Sequence, residues 1–318
     1  MKKIQIARHL WEHLWEDYSD RVRYARIYQQ MIEEAGGKIA NDHIAFRSLR
    51  LVSGHAVPRW ERDRPEGKVN LGIPYVANIV EALGYEVAGE YEFPDQYLYA
   101  RHYRHPQQDR FDLPKLFISE LIVDALPPSI VQLIEQTVFS GSFFNLSPLK
   151  NKIEAASTET EVEQIVEQLQ SAFVRPWQPP KRSVVEAVNA VSQYGAWVLL
   201  HGYAVNHFTG YVNRQNTPLY PDIETTARGL AERGIPMKDY IEGSRGSGLR
   251  QTATKAVTEM VTVRDDLTGE SLQIPWTYAY YEIAERNQVE VAPGQEALFE
   301  GFLGSQARNL FEMTRKLL

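Results

Sequence analysis

The chain has 318 residues, 41 acidic against 34 basic side chains, a formal charge of −7, 43% apolar residues and no cysteine. That length accommodates one large domain or two modules of roughly 100–150 residues. The acidic balance and the lack of any Lys/Arg block longer than two argue against nucleic-acid binding; the missing thiols exclude disulfides, cysteine–zinc sites, iron–sulfur clusters and a cysteine nucleophile.

Residues 4–35 read as one or two amphipathic helices, with Leu10, Leu14, Val22, Ile27 and Met31 at helical spacing before Gly36 and Gly37. A strand follows around His43. Next come a helix within 72–84, strands at 85–93 and 96–103, and a strand ending at Glu120. Residues 127–172 read as helical, with an exposed helix from Thr158 to Phe173. Pro176 to Lys181 reads as a linker, and a helix from Val184 to Tyr194 leads out of it. A strand is expected from Trp197 to Val212, a helix over 222–233, strands at 258–264 and 270–287, and a terminal helix over 294–318. The order strand, helix, strands thus occurs twice. It divides the chain into 1–125 (N-terminal helices and a first module), 126–195 (helical insertion and linker) and 196–318 (a second module with a C-terminal helix). Charges break the first residues before any apolar core forms, and no apolar run approaches the roughly 18 residues of a membrane span. A cytoplasmic protein with no membrane role is expected.

Histidine and glutamate recur at matched spacing. Glu120 lies 77 residues after His43, and Glu282 lies 75 residues after His207. All four fall in segments rich in Val, Ile, Phe and Tyr. Two copies of one module facing each other would explain the pattern. Two imidazoles and one carboxylate from such a pair make an open facial site suited to Fe(II), Mn(II) or Zn(II). Residues two or four apart on a strand share a face, so Arg47 shares one with His43, and His201 shares one with His207 as the best supporting candidate. Each residue also has a plainer reading, as a hydrogen-bonded strand histidine, a cross-strand charge pair or a surface arginine. The stretch Gly243–Thr254 lacks the Gly-Lys-Ser/Thr of a phosphate loop. It is either a turn or a polar cleft wall in which Ser244, Ser247, Arg250 or Gln251 grips a carboxylate.

Three pieces, Asp42-His43-Ile44-Ala45-Phe46-Arg47, Asn206-His207-Phe208-Thr209 and Tyr281-Glu282-Ile283-Ala284-Glu285-Arg286, resemble the 2-oxoadipate dioxygenase/decarboxylase family over roughly residues 35–290. The resemblance implies an α+β fold of two facing βαβββ modules of the vicinal-oxygen-chelate type around a metal-centred cleft, with helices added at the N-terminus, between modules and at the C-terminus. It implies Fe(II) held by His43, His207 and Glu282, with Arg47 binding the substrate carboxylate, while Glu120 falls in the half that does not ligate metal. It implies 2-oxoadipate and O₂ as substrates and 2-hydroxyglutarate and CO₂ as products, in lysine breakdown. Other readings of the same residues are an extradiol dioxygenase or isomerase, or a non-catalytic small-acid binding protein.

Overall fold

Apolar residues at four-residue spacing set the first helix of the computed structural model, which describes residues 2–52, 55–56 and 69–303. Ile6, Leu10, Leu14 and Tyr18 all lie on the buried side of α1 (Lys2–Arg21), each contributing roughly 1.5–3 kcal/mol of transfer free energy. Helix α2 (Arg23–Glu34) follows, then β1 (Asn41–Leu49) and a short pair, β2 (Leu51–Val52) with β3 (His55–Ala56). The chain continues through α3 (Ile73–Ala82), β4 (Glu86–Phe93), β5 (Leu98–Arg104), α4 (Gln108–Phe111) and β6 (Lys115–Leu121). A helical stretch holds α5 (Pro128–Val138), α6 (Ser147–Ala155), α7 (Glu159–Gln170), α8 (Arg182–Val191) and α9 (Gln193–His201). Then come β7 (His207–Tyr211), α10 (Ile223–Glu232), β8 (Leu249–Ala253), β9 (Thr258–Arg264), β10 (Ser271–Thr277), β11 (Glu282–Arg286), β12 (Gln288–Ala292) and β13 (Gln295–Leu298).

Seven strands form one sheet in the order β4-β5-β6-β1-β7-β11-β8. Within each half a parallel pair forms the inner edge, β1 with β6 and β7 with β11; the halves join where β1 and β7 run antiparallel. The two histidine-bearing strands are therefore neighbours at the centre. Phe93, from the β4 edge, and Gln251, from the β8 edge, line the same cavity, so the sheet curls around it. Alternation puts Phe208 on the opposite face from His207. There it meets Trp15 of α1 edge-on at 5.2 Å, and the Tyr18 hydroxyl donates to the carbonyl of Tyr280. The N-terminal helices are thus the outer layer behind the site.

Four expected elements differ. Residues 193–201 form helix α9, not the start of a strand, so His201 shares no strand face with His207. The run Tyr194–Leu200 is buried all round, which hides its helical period. Ser192 caps it by accepting from Gly195 N, and Gly202 ends it at φ 61°. Residue 196, expected to open the second module, lies inside this helix. The expected strand 270–287 is two strands: β10 pairs only with β9 in a separate hairpin, and β11 enters the main sheet. Helix α7 is exposed on one face only; Val162, Ile165, Val166 and Leu169 bury the other, and a capping box between Thr158 and Glu161 starts it. Where a terminal helix was expected, β12 and β13 form a hairpin; residues 304–318 lie outside the described residues.

Candidate metal centre and active site

Strand register brings the histidines and one glutamate together. His43 pairs with Thr209 across β1 and β7, and Thr209 pairs with Glu282 across β7 and β11, so the three form one cross-strand row. His207 lies two residues before Thr209, on the same face. One ligand atom each from His43, His207 and Glu282 fall within 4.8 Å of one another, and all three residues are buried. The rings of His43 and His207 lie 5.5 Å apart at 80°. The Thr209 hydroxyl is 3.1 Å from both His43 Nε2 and Glu282 Oε1.

Each imidazole is oriented by the residue before it. Asp42 Oδ1 accepts from His43 Nδ1 at 2.8 Å, and Asn206 Oδ1 accepts from His207 Nδ1 at 3.0 Å. Both rings so present Nε2 to the cavity, the arrangement by which outer partners fix a metal-binding tautomer. The register between β1 and β7 shifts between Asn41 and His43. This bulge re-aims Asp42, whose two oxygens meet the Arg286 fork at 2.5 and 2.9 Å. Burial opposes ionisation of Asp42, but Arg286 and His43 outweigh it and hold the carboxyl well below its usual range.

The electrostatics fit a divalent cation. Burial pushes His43 below its usual value, against the pull of Asp42; burial, then His43 and Arg47, push His207 further down. Both shifts favour the neutral imidazole, the form that can bind a metal. Burial, followed by Glu242, pushes the Glu282 carboxyl up to about 8. Among the described residues its Oε2 has no hydrogen-bond partner. A buried carboxylate left this way is costly unless a cation answers it. The donor set of two nitrogens and one oxygen suits Fe(II), Mn(II) or Zn(II) and leaves positions open.

The cavity around this centre is lined also by Arg47, Ser119, Gln251 and Tyr280 and walled by Phe93, Phe117, Phe302 and Leu303. Arg47 is buried, its guanidinium carbon 4.9 Å from the ring centroid of Tyr194 and 5.1 Å from that of Trp197. Of the four polar candidates in the Gly243–Thr254 stretch, only Gln251 reaches the cavity. Arg250 has the opposite strand parity, and its guanidinium pairs with Glu224 at 2.7 Å and Glu285 at 3.3 Å. The Ser247 hydroxyl donates to the carbonyl of Leu249, and neither it nor Ser244 lines the cavity. His201 packs instead against the rings of Trp197 and Tyr278, with Nδ1 3.4 Å from Glu259. The sequence reading missed Asp42, Asn206, Thr209 and Ser119 as site residues. The polar residue directly before each histidine was the available signal for the first two.

The matched spacing has a different basis from the one expected. Ala45, two residues after His43, pairs with Phe117, and Thr209, two after His207, pairs with Glu282. The counterpart of Glu282 is therefore Phe117, not Glu120. Glu120 corresponds to Glu285, and both do the same job on the outer face. Glu120 Oε2 accepts from Ile73 N at the start of α3 (2.9 Å), and Glu285 Oε2 accepts from Ile223 N at the start of α10 (2.8 Å). Glu120→Gln is expected to leave bound metal unchanged and to cost about 0.5–2 kcal/mol through the weakened helix start. Denaturant unfolding with metal analysis checks both halves of that outcome.

The curled sheet of paired modules, with two histidines and a glutamate facing its cavity, defines the class: an enzyme fold of the glyoxalase, vicinal-oxygen-chelate type with a candidate metal centre. More particularly, the chain belongs to the 2-oxoadipate dioxygenase/decarboxylase family, whose model matches residues 10–315. The 2-oxoadipate dioxygenase/decarboxylase of Oryza sativa subsp. japonica, a chloroplastic/amyloplastic protein, is 27% identical over 88% of this chain and 70% of its own. Among solved structures, the hydroxyglutarate synthase of Oryza sativa in complex with 2-oxoadipate aligns with a TM-score of 0.74, at 22% identity over 98% of this chain and 93% of that one. A glyoxalase-superfamily protein from Ralstonia eutropha aligns at 0.78, with 23% identity over 94% and 86% of the two chains.

Proposed function

We propose that this chain is an Fe(II)-dependent 2-oxo acid dioxygenase that converts 2-oxoadipate and O₂ to 2-hydroxyglutarate and CO₂, a step of lysine breakdown in the cytoplasm. The observation that carries the reading is the meeting of His43, His207 and Glu282 in one buried cavity with Arg47 on the same strand face. The family membership supports the substrate. The atoms balance: the 1-carboxylate leaves as CO₂, one oxygen atom completes the new carboxylate, and the other becomes a hydroxyl on the adjacent carbon. Bound iron supplies open coordination positions and the electrons that oxygen chemistry requires.

The chain's own residues do the rest. Asp42 and Asn206 hold the two imidazoles with Nε2 inward. Tyr280 stacks on His207 with ring centroids 4.9 Å apart and stops it from rotating. Phe93, Phe117, Phe302 and Leu303 exclude water from one side. Arg47 takes the far carboxylate of the substrate, and Ser119 and Gln251 add polar wall. Oxygen uptake by the purified protein with added Fe(II), over a panel of 2-oxo acids, tests the function. Uptake matched by CO₂ release, and greatest for a six-carbon dicarboxylic acid, is the expected result. Turnover that persists without O₂ would instead indicate an isomerase.

A further inference from the structure

The last described residues form a strap over the metal side of the cavity. Phe299 N donates to Asn287 O at 3.0 Å, and Phe302 N donates to the Tyr91 hydroxyl at 3.1 Å. Glu300 pairs with the buried Lys115 at 2.8 Å and accepts from Gln108 Nε2 at 3.1 Å. The Phe302 ring stands edge-on to His43 at 4.8 Å. Gly248 makes room for the strap, since a Cβ there would lie 2.4 Å from Phe299 Cγ.

Arg286 joins this strap to the centre. Its Nε and Nη2 are spent on Asp42, the residue that orients His43. Its remaining Nη1 donates to the carbonyls of Phe299 at 2.9 Å and Gly301 at 2.8 Å. The guanidinium is fully buried, so neither set of bonds has water as a substitute when it breaks. If the strap lifts, Nη1 loses both acceptors and the fork on Asp42 loses its outer support. If the Asp42–His43 pair shifts, the strap's two carbonyls lose their donor.

We infer that Arg286 is a positioning residue that couples seating of the 299–303 strap to the orientation of His43, so that metal binding and strap closure favour each other. The inference rests on the metal reading given above. Coupling of this kind is reciprocal: metal must tighten the strap by the factor by which a loose strap weakens metal binding.

The test uses the full chain stripped of metal and titrated anaerobically with Fe(II), and with Zn(II), followed by amide hydrogen exchange of residues 299–303. Wild type is expected to bind one ion and to slow exchange in the strap on binding. Arg286→Lys, which lacks the planar fork, is expected to weaken binding by roughly 10–100-fold. Glu300→Gln releases the strap's outer end without touching Asp42; it is expected to weaken binding several-fold and to reduce the metal-dependent protection. Should Arg286→Lys fail to fold, Glu300→Gln carries the test. Wild type that binds no ion overturns the metal reading and this inference with it. Wild type that binds an ion, alongside a Glu300→Gln protein with faster strap exchange and unchanged metal affinity, overturns the coupling alone. A purely structural role for Glu300 gives that second result, with a lower melting temperature and nothing else.

Discussion

His207→Ala protein is expected to hold no metal above background and to show no oxygen-dependent turnover. The loss should exceed the roughly 10–100-fold in affinity that follows from disturbing an outer partner alone, because one of the three proposed protein ligands is gone. Glu282→Gln is the sharper variant, since it keeps volume and removes only the charge. Burial raises the Glu282 carboxyl from 4.5 to about 8 in the folded chain, so ionisation opposes folding. That cost is absent below the unfolded value, grows as pH rises between 4.5 and about 8, and is constant above. Metal-free Glu282→Gln should therefore equal wild type near pH 4 and exceed it at neutral pH, by on the order of a few kcal/mol. Metal reverses the ranking, because a ligand bound only to the folded state stabilises wild type by RT ln(1 + [L]/Kd). Denaturant unfolding across pH, with and without Fe(II), reads both effects. A Glu282→Gln protein that retains one equivalent of iron at wild-type affinity would remove Glu282 from the metal centre.

The legible parts of the sequence were those where local pattern and burial agree. His43, Ala45 and Arg47 alternate with apolar neighbours, so their shared face followed from strand parity, and the structure puts all three on the cavity wall. The repeat was legible too, but its phase was not. Two glutamates three residues apart in their modules, Glu120 and Glu282, gave nearly equal spacing to the histidines, and only cross-strand register separates helix-capping Glu120 from cavity-facing Glu282. Arg250 shows the same limit. Its parity relative to Gln251 was visible, but which parity faces inward depends on the pairing of Ala284 with Gln251 and Glu285 with Arg250, partners 33 and 35 residues apart in the chain. Helix α9 was misread because a helix buried on every side carries no polar stripe. The strap could not be read at all: Phe302 matters through contacts with His43, Tyr91 and Phe117, none of them near it in sequence.

Arg47→Lys is expected to reduce kcat/KM for 2-oxoadipate by roughly ten- to a hundred-fold, chiefly through KM. The charge-assisted hydrogen bonds lost are worth about 1.5–3 kcal/mol. Four strand residues separate Arg47 from His43, about 13 Å along β1, so the arginine must reach back toward the centre to meet the far end of a bound six-carbon acid. Tyr194 and Trp197 flank its planar group, at 4.9 and 5.1 Å, and hold it in one attitude. An ammonium neither stacks between these rings in the same way nor offers two parallel donors to a carboxylate. The measurement that isolates this role is a comparison of substrates. A 2-oxo acid with an apolar tail has no far carboxylate to lose, so its kcat/KM should change by less than about threefold, while metal content and melting temperature stay near wild type. Equal losses on the two acids, or loss of bound iron, would make Arg47 a structural member of the cavity wall, and the determinant of substrate choice would have to be sought at Ser119 and Gln251 instead.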